Sequence, residues 1–346
     1  MGEGESASAP KGEKNVSSCE FKKLNNMKTL FSGLTATMVL TFSIFTFTGC
    51  EKESIKTKHK ETISTTEGVS VVNNLKKSRS SISNYSWLHF ETVSSYSSTL
   101  QILQNLDDNS LYNYSFGDTY FSMLQILGED SMENIGIEDD LLAKILNPDG
   151  VIQIEDYVFK VDCPNETVYV YMIESAVNNG DSTNVSFINT YSIDDDVIDL
   201  LFGESDGNNG SNVDSTSYAQ KSNDQVLDRT EIYTCPATNY VVKCKLLYQR
   251  AGIYHSLLAK IKKAAISWPA VDIYYDAQSG TYKRNGAGTS NISAYSDGGN
   301  GNKYKYRPYS GRKKLTKFNW SSDFEIYNVA VGSGTTKTYH LHIYRN

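Results

Sequence analysis

Residues 147–173 read NPDGVIQIEDYVFKVDCPNETVYVYMI, and this stretch decides how the first half of the chain folds. The opening Asn-Pro-Asp-Gly favours a turn, because proline fixes φ and glycine accepts a positive φ. Three runs follow, at residues 151–154, 157–161 and 168–173, in which β-branched and aromatic residues are frequent. Alternation with a period of two is typical of strands, and Glu155-Asp156 leaves room only for a tight connection. The stretch therefore predicts a three-stranded meander.

Helical patterns lie on both sides of this meander. Apolar residues recur every three to five positions within residues 92–106, and a shorter patch covers residues 120–127. Glu138, Asp139 and Asp140 precede a further apolar run. Because carboxylates stabilise helix N-termini, we interpret this cluster as a helix start and not as a metal site. A second acidic triplet opens a short helix at residues 197–202 in the same way.

The second half of the chain has a different pattern. Gly, Asn, Ser and Asp dominate residues 203–228, which predicts a linker, and Gly-rich residues 285–302 are expected to be a mobile loop. Alternating patterns predict strands at residues 240–248, 253–263, 271–275, 303–307, 324–331 and 336–344. The expected fold class is α+β, with an acidic helical and meander half at residues 86–202 followed by a mainly antiparallel β half at residues 229–346.

Charge is divided unequally between these parts. The whole chain has a net charge of −7, but residues 86–228 hold 3 basic and 26 acidic residues, a net −23, whereas residues 229–346 hold 18 basic and 6 acidic residues, a net +12. Two explanations are open. In the first, the halves face and neutralise each other or their charged faces are merely solvated. In the second, each half meets a different partner.

Residues 27–50, MKTLFSGLTATMVLTFSIFTFTGC, follow lysines and contain a long uncharged run. Such a run could span a bilayer as an uncleaved anchor. Many of its residues are Ser or Thr, however, and it ends in Phe47-Thr48-Gly49-Cys50, which resembles the lipobox of bacterial lipoproteins. That resemblance implies a signal peptide at residues 27–50 and a lipid on Cys50, so we expect the protein to contact a membrane through this anchor.

The sequence around the signal extends this interpretation. Residues 1–26 are polar and Gly-rich, so we expect a disordered leader, with translation starting at Met27. Residues 51–85 are rich in Lys, Ser and Thr and predict a flexible tether. Glu51-Lys52-Glu53 resembles the signal that sends lipoproteins of the Bacteroidota to the outside of the outer membrane. The expected location is therefore the outer-membrane surface, with the periplasmic face as the alternative.

A wider resemblance supports this location. Trp87-Leu88-x-Phe90, and later Ile145-Leu146-Asn147-x-Asp149-Gly150-x-Ile152-Gln153-Ile154 with Tyr157 and Phe159, resemble a family of uncharacterised surface lipoproteins of the Bacteroidota, a domain of unknown function. Glu155 stands where such sequences more often carry Gly or Asn. The resemblance implies a surface address and brings no activity, cofactor or site residue with it.

Aromatic and basic residues interleave near residue 305. Tyrosine rings stack on sugars, and Lys or Arg side chains bind sulfate, phosphate or carboxylate groups. This pattern predicts a surface for an anionic glycan or an envelope protein, whereas nucleic acid is not an expected partner outside the cytoplasm. The alternative is a Tyr-rich strand with solvated basic residues. The candidate residues are Tyr304, Lys305, Tyr306, Arg307, Tyr309, Arg312, Lys313 and Lys314.

Two further candidates involve His and Cys residues. His340 and His342 are two apart on a predicted strand, so both imidazoles share one face and could begin a metal site, although no third ligand has diagnostic spacing. The alternative is an ordinary polar strand face. Cys235 and Cys244 could form a disulfide, which would leave Cys163 unpaired.

Recognised catalytic patterns do not occur in the sequence. It contains no Gly-x-Ser-x-Gly, no His-Glu-x-x-His and no phosphate loop, and no cofactor is predicted. The favoured hypothesis is a lipid-anchored cell-envelope protein that binds a polymer or a partner protein. The alternatives are a glycan hydrolase that uses two carboxylates of the acidic half, and a structural subunit of an envelope complex.

Overall fold

The computed structural model describes residues 67–72, 82–174, 184–203, 224–234, 241–264, 271–328 and 335–346. These ranges belong to one compact unit, Lys60–Asn346. Of the described residues, 52% lie in strands and 18% in helices, so the protein is mainly β-sheet, with several antiparallel sheets. The α+β prediction is confirmed only in part, since strands dominate. The predicted leader and signal peptide and most of the predicted linker lie outside the described residues.

A six-stranded sheet forms the first layer, with its strands side by side in chain order. Its strands are β1 (Val69–Val72), β2 (Trp87–Phe90), β3 (Val151–Ile154), β4 (Tyr157–Asp162), β5 (Thr167–Glu174) and β6 (Asn184–Ser192). Neighbouring strands are antiparallel, except that β2 and β3 are parallel. The predicted meander is confirmed as β3, β4 and β5. Residues 69–72 were predicted to belong to the flexible tether. This prediction is wrong, because they form β1, and Val69 and Val71 pack against the core beside β2.

Helices cover one face of this sheet. They are α1 (Val93–Gln104), α2 (Asp108–Asn113), α3 (Met123–Ile126), α4 (Glu129–Asn134), α5 (Asp140–Ile145) and α6 (Val197–Phe202). The predicted helices are confirmed as α1, α3, α5 and α6. Asp139 caps α5, as its acidic cluster predicted, by accepting a hydrogen bond from the Leu141 backbone N–H at 2.9 Å. The pattern missed α2 and α4, because each buries a single apolar side chain, Leu111 and Met132.

The second half of the chain forms two further sheets. Its strands are β7 (Gln225–Val226), β8 (Asp228–Thr234), β9 (Val241–Arg250), β10 (His255–Lys263), β11 (Val271–Ala277), β12 (Gly280–Arg284), β13 (Thr289–Ile292), β14 (Tyr295–Gly299), β15 (Lys303–Gly311), β16 (Leu315–Asn328) and β17 (Thr335–Arg345). A four-stranded sheet has the order β15-β10-β9-β8, and a seven-stranded sheet has the order β13-β12-β16-β11-β14, with β17 between β16 and β7.

The two sheets share an apolar core. The residues that alternate inward from β9 are buried in it, as the pattern predicted: Val242, Cys244, Leu246 and Tyr248. The mobile loop expected at residues 285–302 is wrong, because this segment contains β13 and β14. Its glycines permit close pairing, since a Cβ on Gly298 would lie 2.3 Å from the Tyr274 ring.

The two sheets and their shared core form a sandwich, and the turn between β9 and β10 joins this sandwich to the helical layer. Ala251, Ile253 and Tyr254 belong to the core beneath the helices, and the Tyr96 hydroxyl donates to the Ile253 carbonyl at 2.9 Å. Gly252 has a φ of 71°, in the left-handed region that favours glycine. None of the described helices is long and apolar enough to cross a membrane.

Replacing Gly252 by Ala tests this joint. The new Cβ would lie 2.7 Å from Val168 Cγ2 and 2.9 Å from Val197 Cγ2, in addition to the strain at positive φ. We expect the free energy of unfolding to fall by about 2–4 kcal/mol in urea titrations. Gly128→Ala is the matched control, because Gly128 has a φ of 72° and open space around its Cα. Equal losses for the two variants would show that Gly252 is not tightly packed.

Candidate functional site

One face of the four-stranded sheet carries a row of Lys and Arg side chains that point away from the sandwich core. Residues alternate across a strand, so each strand that buries apolar side chains on one face presents its basic residues on the other. We call this surface the basic sheet face. Its residues are Lys243, Lys245, Lys260, Lys262, Lys303, Lys305 and Arg307.

Carboxylates of the helical layer lie directly against this face. We call them the acidic helix face, and they are Asp108, Glu129, Glu133, Glu138, Asp139 and Asp140. Glu133 contacts both Lys243 Nζ and Lys260 Nζ at 2.7 Å. Asp140 contacts Lys303 Nζ at 3.0 Å and Lys305 Nζ at 2.9 Å. The two oppositely charged halves therefore face and neutralise each other.

Asp139 and Arg307 form the most buried of these pairs. The Asp139 side chain is 0% exposed, and Arg307 Nε donates to its Oδ2 at 2.8 Å. The Tyr254 hydroxyl donates to the same oxygen at 2.7 Å, and the Ser256 hydroxyl also donates to it. Burial raises the pKa of Asp139, but Arg307 and the hydroxyl donors outweigh it and lower that pKa below its ordinary value. Asp139 is therefore a buried carboxylate held ionised by its partners.

The other predicted cations also meet carboxylates of the first half. Arg312 and Lys313 both contact Asp199 of α6. The Lys314 backbone N–H donates to Asp196, which precedes that helix. Arg345 of β17 makes a similar contact, 2.8 Å from Asp194. The interface between the halves thus extends beyond the basic sheet face.

The tyrosines of the predicted site point towards the sandwich core, on the strand face opposite to the cations. Tyr304, Tyr306 and Tyr309 pack with the sandwich core, and the Tyr306 ring stacks on Tyr295 at 4.9 Å. The inward tyrosines 306 and 309 are three apart because a β-bulge shifts the register between β10 and β15. This corrects the placement expected for a polyanion surface: the tyrosines lie in the sandwich, and Lys305, Arg307, Arg312 and Lys313 bind carboxylates of the same chain.

The remaining candidates have separate surroundings. His340 and His342 share one exposed face as predicted, but His340 Nδ1 lies 2.7 Å from Asp323 Oδ1 and His342 Nε2 lies 2.9 Å from Asn319 Oδ1. Within the described ranges, no group of three or more His, Cys, Asp or Glu side chains could hold a metal ion. Cys244 is a free, buried thiol whose pKa burial raises to about 12. Cys235 and Cys50, the residue predicted to carry a lipid, lie outside the described residues.

A different surface carries exposed aromatic and polar groups. We call it the outer sheet face, the face of the seven-stranded sheet that points away from the core. Tyr274 on β11 is 40% exposed and Tyr327 on β16 is 38% exposed. Tyr274 is paired with Glu325, and Tyr327 with Asp272, so the two tyrosines are diagonal neighbours. Diagonal side chains lie about 7–8 Å apart, within reach of one ligand.

Hydrogen-bonding side chains continue along this face. The Asp323–His340 and Asn319–His342 pairs follow Tyr327 down β16, and His342 stacks on Tyr344 at 5.5 Å. Aromatic rings can cover the apolar face of a sugar ring, while carboxylate and amide groups hydrogen-bond its hydroxyls. This surface was not predicted from the sequence, although Tyr274 and Tyr327 lie in segments predicted as strands, because which alternate residues face outward depends on how the two sheets pack.

Comparisons with known proteins give little further information. No family model matches the chain, and no similar protein was found among curated sequences. A crystal structure of a DUF4848 family protein from Bacteroides thetaiotaomicron aligns with 74% of this chain and 97% of that chain, with 11% identity and a TM-score of 0.15. A TM-score this low carries no argument about fold or function.

The Asp139–Arg307 pair predicts an asymmetric mutational response. Asp139→Asn leaves the Arg307 guanidinium buried without its ion-pair partner, so we expect the free energy of unfolding in urea to fall by about 3–5 kcal/mol. Asp139→Leu combined with Arg307→Met removes both charges, and its loss should be smaller. Asp130→Asn is the control, because the Asp130 side chain is 87% exposed and its ion pair, with Lys262 at 2.8 Å, lies at the edge of the interface. A loss for Asp139→Asn no larger than this control would contradict the assignment.

Acid should weaken the interface between the halves. Burial raises the pKa of Glu133, but hydrogen bonds and charges from Lys243 and Lys260 lower it overall, from 4.5 to about 2. A lowered folded-state pKa means that this stabilisation is present above the unfolded-state value of 4.5 and is lost as the pH falls towards 2. Between about pH 7 and about pH 3, Glu133→Gln should reduce the pH dependence of the unfolding free energy by roughly 2 kcal/mol. An unchanged dependence would contradict this role.

Proposed function

We propose that this chain is a lipid-anchored cell-envelope protein that binds a polysaccharide on the outer sheet face. The proposed anchor is Cys50, at the end of the signal in residues 27–50, and the proposed location is the outer-membrane surface, with the periplasmic face as the alternative. The observation that carries the binding proposal is the exposed diagonal pair of Tyr274 and Tyr327 with carboxylates beside both rings.

The character of this face favours a polysaccharide over a protein partner. Asp272, Asp323 and Glu325 lie among the exposed tyrosines, whereas the centres of protein–protein interfaces are depleted in charged residues. Hydroxyl-rich sugars use such groups as hydrogen-bond acceptors. Strand β16 has 14 residues, which at about 3.3 Å per residue gives a length of roughly 45 Å. An extended face of this length suits a linear polymer of several sugar units.

The basic sheet face is not the surface that we propose. A polyanion would have to displace the acidic helix face, whose carboxylates already contact Lys260, Lys303 and Lys305 at distances of ion pairs. The same contacts bear on the hydrolase alternative, which needs two carboxylates facing a substrate. In the acidic helix face these carboxylates face lysines and arginine instead. We therefore place the ligand on the opposite side of the sandwich.

Substitution of the two tyrosines tests the proposal. The full chain would be applied to a panel of immobilised dextran, mannan, arabinogalactan and polygalacturonate, and the dissociation constant measured for each polysaccharide that it retains. Tyr274→Ala and Tyr327→Ala should each weaken binding by about threefold to tenfold, because each removes one stacking ring worth about 0.5–1.5 kcal/mol. Tyr274→Phe keeps the ring and should retain most of the affinity.

Tyr112→Ala is the matched control, since Tyr112 is an exposed tyrosine on α2, in the other half of the molecule. Its binding should equal that of the unmodified chain. Retention of a polysaccharide with equal affinity by the Tyr274 and Tyr327 variants would place the site elsewhere. Absence of binding to every member of the panel would count against a polysaccharide-binding role.

A further inference from the structure

Two lysines oppose each other at one end of the outer sheet face. Lys283 of β12 is paired with Lys317 of β16 in the antiparallel register, and both are exposed. Like charges directly opposite on neighbouring strands destabilise a sheet, because their Cβ atoms are only about 4.5–5.5 Å apart. Neither side chain has a hydrogen bond or ion pair to any residue in the described part of the chain. The lysines of the basic sheet face, by contrast, are matched by carboxylates.

A cleft of about 180 Å³ lies at this pair of lysines. Hydroxyl and amide groups of β12, β13 and β16 line it, together with Arg345 of β17 and Asn346. The Asn346 amide already donates to Asp224 Oδ2 at 2.5 Å, so the ligand would meet Thr281, Thr289, Asn319 and the two lysines. Thr289 is paired with Lys283, so one row across the sheet contains a hydroxyl beside two ammonium groups. The row therefore presents several hydrogen-bond donors and two positive charges to one small volume.

We propose that this cleft binds an oxyanion, and that its source is a sulfate or carboxylate substituent on the polysaccharide that the outer sheet face binds. The second part rests on the proposed function. An oxyanion between Lys283 and Lys317 would place a negative charge between the two ammonium groups and offset their repulsion by charge-assisted hydrogen bonds. The threonine hydroxyls can donate to its remaining oxygens.

The position of the cleft also restricts the kind of polymer. Lys317 and Tyr327 are ten residues apart on β16, which corresponds to about 33 Å. Asp272 and Glu325 lie at the tyrosine end and would repel a negative group there. A densely charged polymer would therefore meet attraction at one end and repulsion at the other. The matching ligand is a sparsely substituted chain, with neutral sugars over the tyrosines and an anionic group in the cleft.

The first experiment tests the cleft alone, with sodium sulfate as the probe. Thermal unfolding of the full chain would be followed in sulfate and in sodium chloride of equal ionic strength. Sulfate also stabilises proteins by exclusion from their surface, so the comparison is with Lys283→Met/Lys317→Met, which keeps that general effect. We expect a larger sulfate-induced rise in the unfolding midpoint for the unmodified chain than for the double variant. Equal rises would overturn the anion site.

A second experiment compares the unfolding midpoint of Lys283→Met with that of the unmodified chain, and the expected difference changes sign when sulfate is added. Without sulfate, Lys283→Met removes the repulsion with Lys317, so its unfolding midpoint should equal or exceed that of the unmodified chain. With sulfate, the order should reverse, because only the unmodified chain has both ligands. Lys337→Met is the matched control, since Lys337 is an exposed lysine of the same sheet away from the cleft. A Lys283→Met midpoint below that of the unmodified chain in both salts would overturn the proposal.

The source of the anion is tested with three forms of one polymer: dextran, sparsely sulfated dextran and densely sulfated dextran. The sparsely sulfated form should bind tightest, and the double lysine variant should lose at least threefold in affinity for it while binding dextran unchanged. Equal binding of dextran and its sparsely sulfated form would overturn the polysaccharide source. Failure of all three to bind, with a sulfate effect that needs both lysines, would count against the proposed function and leave the anion site standing.

Discussion

The burial of Asp139 against Arg307 is the interaction on which the arrangement of the layers depends. Taking two charges out of water is unfavourable unless each finds full compensation. Here the carboxylate also receives hydrogen bonds from the Leu141 backbone and from the Tyr254 and Ser256 hydroxyls. One residue thus joins the start of α5 to β10 and β15, and any other relative position of helix and sheet would leave a buried charge without its partners.

The contact between Asp139 and Arg307 also constrains the register of the four-stranded sheet. A slip of one residue turns every side chain of a strand to the opposite face. In β15 this would direct Lys303 and Lys305 into the sandwich core and the tyrosines onto the acidic helix face. The period of two therefore encodes two different interfaces in each strand, one apolar and one ionic. The β-bulge between the partners of Leu257 and Ala259 lets β15 contribute to both interfaces, since Tyr306 and Tyr309 reach the core although they are three residues apart.

The elements that could be predicted from the sequence are those whose signals are local. The helix at residues 92–106 and the three strands within residues 151–173 were predicted from periodicity and turns, and each is present in the structure. Strands β13 and β14 were not predicted, because glycines that suit a loop also permit close pairing with the neighbouring strands β12 and β11. The placement of the candidate binding site at residues 304–314 could not be predicted for a related reason. Alternation correctly separated tyrosines from cations in β15, but only the tertiary structure shows that the cations meet carboxylates more than a hundred residues away.

Those separations affect how the protein folds. Lys243 and Glu133 are 110 positions apart, and Arg307 and Asp139 are 168 apart. Contacts between distant positions form only after long stretches of chain have been closed, which slows folding. Until then residues 86–228 carry a net −23 and their carboxylates repel one another. Each half supplies the counter-ions of the other, so we expect the two halves to fold as one cooperative structure and not as independent units on either side of the point where the charge changes sign.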